Sequence, residues 1–384
     1  MIATAGACTA PAPGAPDGGA ADAGALQLDP AFADGGVRRL ADGVPGALAS
    51  SGGALEVCGV TTRAVGGALQ VDALYSQRIA TGAPDQIATW PMPPGWTAAA
   101  RCVATAVAID GAAVAGFDLG TGTGALLRRG ADGTFGAPPR LPEAAPVRDL
   151  IALPDGLIVV AFDDATWGLH TDLTVATDYG GAGRSPTFSD AVRTLVVHPG
   201  VDPTHDALAV DVVTDQWVAR EWLSPDGPSS SGDHGFDTVL PALDVIDAIP
   251  LPDRGDLLVA DRAGLVVSPD GALRPIDVPG PRPDRAIVDG AGGGYLLAAP
   301  PYATYVVVTR IAAAGAGWVA TDTQRVAPPD LCRGVPDGTC TDWLVLHDAA
   351  WTDDGRLAVL IERRTGDAAD PTTPRHGELL VMTR

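Results

Sequence analysis

A turn followed by a short apolar run recurs along most of the chain and constrains its fold more than any other feature. The turn usually contains Asp-Gly or Gly-Gly, and the run is of strand length, as in "LPDGLIVVAFD" and "TDDGRLAVLIE". A turn of this chemistry ahead of an apolar or alternating run is typical of a β-hairpin. The central positions of the copies are Leu55, Ala113, Leu157, Leu208, Leu257, Leu296 and Leu357.

The spacing of these copies indicates a repeat architecture. Successive copies lie about 50 residues apart, and strand-like runs also precede and often follow each copy. A unit of about four short strands is the size of one propeller blade. We therefore predict an all-β fold, a single seven-bladed β-propeller spanning residues 27–384, with a pair of β-sandwiches as the alternative. The terminal run "GELLVMTR" is predicted to pair in the first or last blade and to help close the ring.

Composition supports strands over helices and limits the classes of partner. The chain contains no Lys, only five Glu, 48 Gly and 34 Pro, so residues that favour helices are scarce and residues that break them are common. The formal net charge is −22, which disfavours nucleic acid and anionic membrane surfaces as partners. Cations or basic partners suit this charge, although it is also explained by solubility alone.

The first copy resembles a known bacterial repeat. "LDPAFADGGVRRLADG" followed by "SSGGALEVCG" resembles the delta-sixty repeat family of bacterial propeller-like proteins over about 35 residues. The matching positions are Leu28, Asp29, Phe32, Gly35, Gly36, Leu55 and Val57. The resemblance implies a bacterial β-repeat protein of propeller type, and it implies no catalytic residues because the repeated pattern is structural.

Four of the five cysteines suggest two disulfides. Cys332 and Cys340 bracket a Pro-Asp-Gly turn, which brings the two ends of the segment together. Cys58 and Cys102 lie on strands assigned to the first and second blades, so a bridge between them would join those blades. Metal binding is the competing explanation, but the chain contains no Cys-x-x-Cys. Disulfides imply an extracytoplasmic location: secreted, periplasmic or on the cell surface.

The fifth cysteine, Cys8, is left without a partner inside a tract of small residues. Residues 1–26 read as a flexible Ala/Pro/Gly linker. Residues 5–8, Ala-Gly-Ala-Cys, resemble the end of a bacterial lipoprotein signal, but no charged or long apolar segment precedes them. Lipid anchoring at Cys8 and an unmodified tail cysteine therefore both stay open. No transmembrane segment is predicted.

Candidate site residues are few. Trp90 and Trp96 flank the Pro-rich stretch "PMPPG" and could form a platform for a ligand or pack between blades. The segment "HPGVDPTHD" holds two His and two Asp that could bind a divalent cation or be ordinary surface residues. Those four residues are His198, Asp202, His205 and Asp206. No cofactor is predicted, and a divalent cation stays an open alternative.

These observations favour a monomeric binding or scaffold module over an enzyme. The chain has no nucleophile elbow and no zinc-protease motif, so we expect a propeller whose loops bind a protein, peptide or glycan. The alternative is a hydrolase or lyase acting on polysaccharide, with acidic residues near the central channel. A purely structural module is the third hypothesis. Convergence of acidic or basic side chains from different blades near the channel would favour the enzyme.

Overall fold

The computed structural model is a ring of short antiparallel sheets, in agreement with a composition that favours strands over helices. The structure describes residues 26–33, 35–66, 68–92, 99–108, 110–134, 136, 145–153, 156–162, 165–179, 184–186, 194–202, 205–214, 217–224, 227–229, 234–235, 245–251, 255–260, 263–267, 273–289, 293–314, 317–332, 340–366, 370 and 373–384. Within residues 180–275 and 313–317 it describes the backbone alone.

Two short strands come first, and three sheets follow them in chain order. The short strands are β1 (Gln27–Leu28) and β2 (Val37–Arg39). Blade 1 comprises β3 (Val44–Ser51), β4 (Ala54–Val65), β5 (Ala68–Ala80) and β6 (Gln86–Pro91). Blade 2 comprises β7 (Arg101–Val107), β8 (Ala113–Asp118) and β9 (Gly124–Arg129). Blade 3 comprises β10 (Asp149–Ala152), β11 (Ile158–Ala161), β12 (Ala165–Leu169) and β13 (Arg184–Pro186).

Four more sheets complete the ring. Blade 4 comprises β14 (Thr194–Asp202), β15 (His205–Thr214), β16 (Trp217–Ser224), β17 (Gly227–Ser229) and β18 (His234–Gly235). Blade 5 comprises β19 (Val245–Leu251), β20 (Gly255–Ala260), β21 (Ala263–Val267) and β22 (Leu273–Ile276). Blade 6 comprises β23 (Arg285–Val288), β24 (Gly293–Ala298), β25 (Val306–Ala314) and β26 (Gly317–Val326). Blade 7 comprises β27 (Asp342–Trp351), β28 (Leu357–Thr365) and β29 (Arg375–Thr383).

The sheets are arranged as the blades of a propeller. The first strand of each blade contacts the first strand of the next, and β27 of blade 7 returns to β3 of blade 1. These first strands form the inner wall of the ring, and the later strands of each blade lie progressively further out. The part of the chain that the structure describes thus forms a seven-bladed β-propeller, as the repeat spacing predicts.

The recurring apolar runs form the second strand of each blade. Every central position named from the sequence lies in β4, β8, β15, β20, β24 or β28, or immediately before β11. The preceding turns explain why. In two of them, Gly156 and Gly355 adopt left-handed φ values of 96° and 80°, which glycine tolerates without strain. Leu153 and Thr352 donate backbone hydrogen bonds of 2.8 Å across these turns, so each turn starts a hairpin.

The two chain ends close the ring within blade 7. The terminal strand β29 pairs with β28 on one side and with β1 and β2 on the other. Gln27 is registered with Thr383, and Val37 is registered with Leu380. The prediction that the terminal run closes the ring is confirmed. The stretch that resembles the delta-sixty repeat supplies these outer strands, with Phe32 buried beneath them at 6% exposure.

Both predicted disulfides are present. The bridge between Cys58 of β4 and Cys102 of β7 joins blades 1 and 2, with a Cα–Cα distance of 5.9 Å. The bridge between Cys332 and Cys340 lies in the connection between β26 and β27, with a Cα–Cα distance of 5.2 Å. The first bridge therefore fastens two blades together, whereas the second constrains one connection on the rim. The described residues contain no helix with the length and apolarity needed to cross a membrane.

Candidate functional site

Two neighbouring features of the junction between blades 6 and 7 stand out on one face of the ring. We call this the upper face: it is the face at which the inner strands begin and at which the second and third strands of each blade are connected. One feature is an aromatic ledge, defined as Pro300, Pro301, Tyr302 and Trp343. The other is an acidic pocket, defined as Asp330, Asp342, Arg363, His376 and Glu378. Both features lie where segments distant in sequence meet.

The aromatic ledge is held by ring contacts and is open to solvent. The Tyr302 side chain is held at the connection between β24 and β25 with a backbone φ of 61°, yet the residue is 67% exposed. Its ring meets the Trp343 ring edge-on at 5.3 Å between centroids, and the Arg364 guanidinium lies 4.7 Å from the centre of the Trp343 ring. The Leu344 amide donates a 2.8 Å hydrogen bond to the carbonyl of Ala303, which ties the connection to β27.

A cavity of about 390 Å³ opens beside the ledge. Its wall combines the ledge with apolar side chains of β27 and with two charged residues at the start of β23, Asp284 and Arg285. Burial raises the pKa of Asp284 above its usual value, even though its carboxylate accepts a hydrogen bond from the Ala299 amide. The cavity volume falls in the range of pockets that hold small ligands or short peptide segments.

The acidic pocket is larger, at about 570 Å³, and is organised around the Arg363 guanidinium. Arg363 contacts Asp342 at 2.6 Å, Asp330 at 3.1 Å and Glu378 at 3.5 Å. Burial works to raise the pKa of Asp342, but hydrogen bonds from Arg363 and Thr365 outweigh it and hold that pKa below its usual value. Three carboxylates and two guanidiniums, Arg363 and Arg39, line the pocket, so it carries a small net negative charge when His376 is neutral.

The central channel brings charged groups of two blades together. Asp348 of β27 lies 3.8 Å from Arg285 of β23 and accepts a 2.7 Å hydrogen bond from the Leu48 amide of β3. Burial raises the pKa of Asp348, against the attraction of Arg285. Asp348 therefore links the inner strands of blades 6, 7 and 1. This contact satisfies an inward-facing backbone amide, so a role in holding the ring together accounts for it.

The residues singled out from the sequence have different placements. Trp90 lies in β6, half-buried against the core cluster that also contains Cys58 and Cys102, so it packs between blades 1 and 2. Trp96 and Cys8 lie outside the described residues. His198 and Asp202 lie on β14, and the hairpin partner β15 begins with His205 and Asp206. Of these four residues the structure describes the backbone, in which Asp202 is registered with His205.

The predicted cation site at these four residues stays a prediction, because their side chains lie outside what the structure describes. The described residues contain no group of three or more His, Cys, Asp or Glu side chains arranged to hold a metal ion. In the acidic pocket the carboxylates are spread around Arg363 rather than gathered on one point, which explains why this cluster is not a metal centre.

The aromatic ledge was missed by sequence reasoning, although a signal existed. The run "APPYATY" follows a strand and places two prolines ahead of an aromatic residue, as the Pro-rich stretch near Trp90 does. Prolines cannot continue a central strand, so an aromatic residue after them is a candidate for an exposed connection. The acidic pocket had no local signal because its members are drawn from β27, β28, β29 and the connection before β27.

Comparison with solved structures places the chain among known propellers. A catalytically inactive virginiamycin B lyase from Staphylococcus aureus, solved with quinupristin, has a TM-score of 0.56 at 10% identity and covers 93% of this chain and 99% of its own. The C-terminal WD40 domain of Sif2 has a TM-score of 0.51 at 10% identity over 90% of this chain and 98% of its own. YCF48 bound to D1 peptide has a TM-score of 0.51 at 10% identity over 91% and 96%.

This chain has the β-propeller fold. At such low identities the similarity establishes the architecture and nothing about activity. No protein-family model and no curated protein sequence matches the chain. The resemblance to the delta-sixty repeat family therefore stays a prediction, and function has to be argued from the surface of this propeller itself.

Proposed function

We propose that this protein is an extracytoplasmic binding module, and that the aromatic ledge on its upper face takes a peptide segment of a partner protein. The observation that carries the proposal is the exposed Tyr302 ring, which rests on Trp343 and borders a cavity of about 390 Å³. Aromatic side chains held rigidly in this way contribute a large contact area and lose little conformational entropy on binding.

The backbone at Tyr302 supports a binding role. A tyrosine with φ of 61° is strained, because its Cβ crowds the backbone in the left-handed region. Strain of this kind costs on the order of 1–3 kcal/mol and is concentrated at functional sites. Here its consequence is an aromatic ring that is 67% exposed and pinned against Trp343. We infer that the strained connection is retained because it presents this ring.

A peptide suits the surface better than a nucleic acid. The net charge of −22 repels phosphate backbones and attracts basic segments. The cavity offers apolar contacts from Leu344 and Leu346 together with one carboxylate, Asp284, which matches a peptide with mixed side chains. YCF48, a protein of similar fold, was solved bound to D1 peptide. That complex shows that a protein of this fold can bind a peptide, which supports the proposal.

The proposed location follows from the cysteines. Two disulfides, one of them joining blades, are characteristic of an oxidising compartment. We propose that the protein functions outside the cytoplasm, with Cys8 as a candidate lipid anchor ahead of the propeller. Mass spectrometry of the native N-terminus tests the anchor, because an unmodified Cys8 behind an intact Met1 would exclude it.

Substitution of the ledge tests the proposed function. A random peptide library should yield ligands for the wild-type protein, and Tyr302→Ala should weaken the selected peptides by about tenfold or more. Ile87→Ala is the matched control, because Ile87 is also an exposed apolar side chain, 51% exposed, on β6 of blade 1. Equal affinities for wild type and Tyr302→Ala, with the peptides still bound, would overturn the ledge as the binding site.

A further inference from the structure

The acidic pocket holds a buried carboxylate oxygen that the described contacts leave unsatisfied. Glu378 lies on β29 with its side chain only 5% exposed, and its Oε1 accepts from Nε2 of His376 at 2.8 Å. Its Oε2 has no hydrogen-bond partner. A buried carboxylate oxygen without a donor is costly, so the site is more stable when a donor fills it.

The space beside Glu378 is large enough for such a donor to come from outside. Glu378 lines the same cavity of about 570 Å³ as Asp330, Asp342 and Arg363. Asp330 stands at the rim with 58% exposure, whereas Asp342 is 11% exposed and lies deeper. A charged group that enters from solvent therefore passes the Asp330 carboxylate before it reaches Glu378. Two guanidiniums line the cavity, those of Arg363 and Arg39, and Arg39 is paired with Asp42 at 3.1 Å. The three carboxylates therefore face one guanidinium that has no other partner, so the donor that fits is a cation.

We propose that the acidic pocket binds the ammonium group of a lysine side chain in a basic peptide ligand. An ammonium group supplies three donors and no acceptor, so it can satisfy the free oxygen of Glu378 and one carboxylate at the rim together. A metal ion is the wrong occupant, because the described carboxylates do not converge as metal ligands would. The alkyl stem of lysine is long and flexible enough to reach a recessed carboxylate.

This inference rests on the proposed function and deepens it. The ledge is proposed to bind a peptide, and the acidic pocket is where a basic side chain of that peptide would bind. The two features lie side by side. Trp343 of the ledge and Asp342 of the pocket are successive residues of β27. Their side chains fall on opposite faces of the strand, as successive residues of a strand do. A peptide on the ledge can therefore extend one side chain past the start of β27 and into the pocket.

The experiment uses n-butylammonium as a probe that does not need the ledge. Ligand-observed NMR should show saturable binding of n-butylammonium to the full-length protein and no binding of 1-butanol, the neutral analogue. Added salt should weaken the interaction, because the attraction is electrostatic. Glu378→Gln should weaken it by about tenfold or more, since it removes the negative charge and replaces one acceptor oxygen with an NH2 donor while preserving shape.

Asp330→Asn keeps the inference falsifiable if Glu378→Gln fails to fold. Asp330 is exposed, and its replacement should weaken binding by about two- to threefold without affecting folding. Asp72→Asn is the matched control, because Asp72 is 50% exposed and lies 3.1 Å from Arg63, as Asp330 lies 3.1 Å from Arg363. Equal effects of the Asp330 and Asp72 substitutions would reduce the interaction to nonspecific charge attraction and overturn the inference.

The ledge variant separates this inference from the proposed function. Tyr302→Ala should weaken peptide binding by about tenfold or more and leave n-butylammonium binding intact. Binding of n-butylammonium without any peptide ligand would uphold the pocket and count against the ledge. A different pair of results would overturn lysine binding in the pocket and leave the proposed function standing. In that case, peptides would bind equally well with lysine or with norleucine, and n-butylammonium would show no saturable binding.

Discussion

Two glutamates, one on each side of blade 1, are equally buried, yet their pKa values are shifted in opposite directions. Glu362 of β28 lies in the junction between blades 7 and 1 and is 0% exposed, while Glu56 of β4 lies in the junction between blades 1 and 2 and is 1% exposed. Glu362 has its pKa lowered to about 2, and Glu56 has its pKa raised to about 7. Burial alone therefore does not decide the charge of an acid between blades.

The number of donors around each carboxylate explains the difference. Burial opposes ionisation of Glu362, but His347 at 3.0 Å and two contacts from Arg364 at 2.8 and 2.9 Å outweigh it. Arg375 adds a cation 3.7 Å away. The ionised Glu362 also raises the pKa of the buried Tyr75 of blade 1, after burial itself. Here hydrogen bonds from two side chains and a third cation outweigh the cost of desolvating the Glu362 charge.

Glu56 has fewer partners. Burial raises its pKa against the attraction of Arg129, with which it forms a short contact, and of Arg78 at 3.5 Å. Both Oε2 of Glu56 and Nε of Arg129 are buried without a hydrogen-bond partner. The same junction contains the Cys58–Cys102 disulfide, two residues further along β4. The weaker polar contact is thus accompanied by a covalent one, and the stronger polar contact is not.

Removal of the inter-blade disulfide is expected to have the largest effect. The variant with Cys58→Ala and Cys102→Ala releases a loop with a sequence separation of 44, so the free energy of unfolding should fall by about 4 kcal/mol. Urea denaturation measures the loss. The control variant, Cys332→Ala with Cys340→Ala, releases a separation of 8 and should lose about 2.6 kcal/mol. A larger loss in the control would contradict a special role for the bridge between blades.

Glu362→Gln should produce the next largest effect. The substitution leaves Arg364 and Arg375 facing a neutral side chain, so the free energy of unfolding at pH 7 should fall by about 3 kcal/mol. Because the folded pKa of about 2 lies below the usual 4.5, the wild type loses this stabilisation as the pH falls from 4.5 towards 2, and the variant should not. Asp72→Asn is the control, because Asp72 forms a solvent-exposed ion pair with Arg63. It should change the free energy of unfolding by less than about 0.5 kcal/mol.

Glu56→Gln should change the pH dependence rather than abolish folding. The folded pKa of about 7 lies above the usual 4.5, so the folded state holds the proton more tightly and the wild type loses stability as the pH rises between these values. The loss between pH 5 and pH 8 should be about 2.5 kcal/mol, and the variant should lack it. Urea denaturation at several pH values measures the slope. Identical slopes in both proteins would show that the two junctions do not differ as described.

Much of the architecture was predictable from local sequence. The turn chemistry before Leu157 and Leu357, the spacing of the copies and the terminal run are local features, and each specified a hairpin or a strand without reference to the rest of the chain. The disulfide pairings were also predictable, because assigning Cys58 and Cys102 to neighbouring blades brought them within reach. For Trp90 and Trp96 the sequence left a ligand platform and packing between blades open, and the structure places Trp90 half-buried against the cluster that contains Cys58 and Cys102.

The candidate site was not predictable, and the reason is physical. Tyr302 and Trp343 meet edge-on although 41 positions separate them in the sequence. Arg363 contacts Asp330 and Glu378 only because separate strands converge at the rim of blade 7. The acidities of Glu56 and Glu362 depend in the same way on arginines of neighbouring blades and strands. The sequence by itself determined an all-β repeat of about seven hairpin-based units, because turn and strand preferences act between near neighbours. Closure of the ring alone decided which side chains meet, since that depends on how distant segments are brought together.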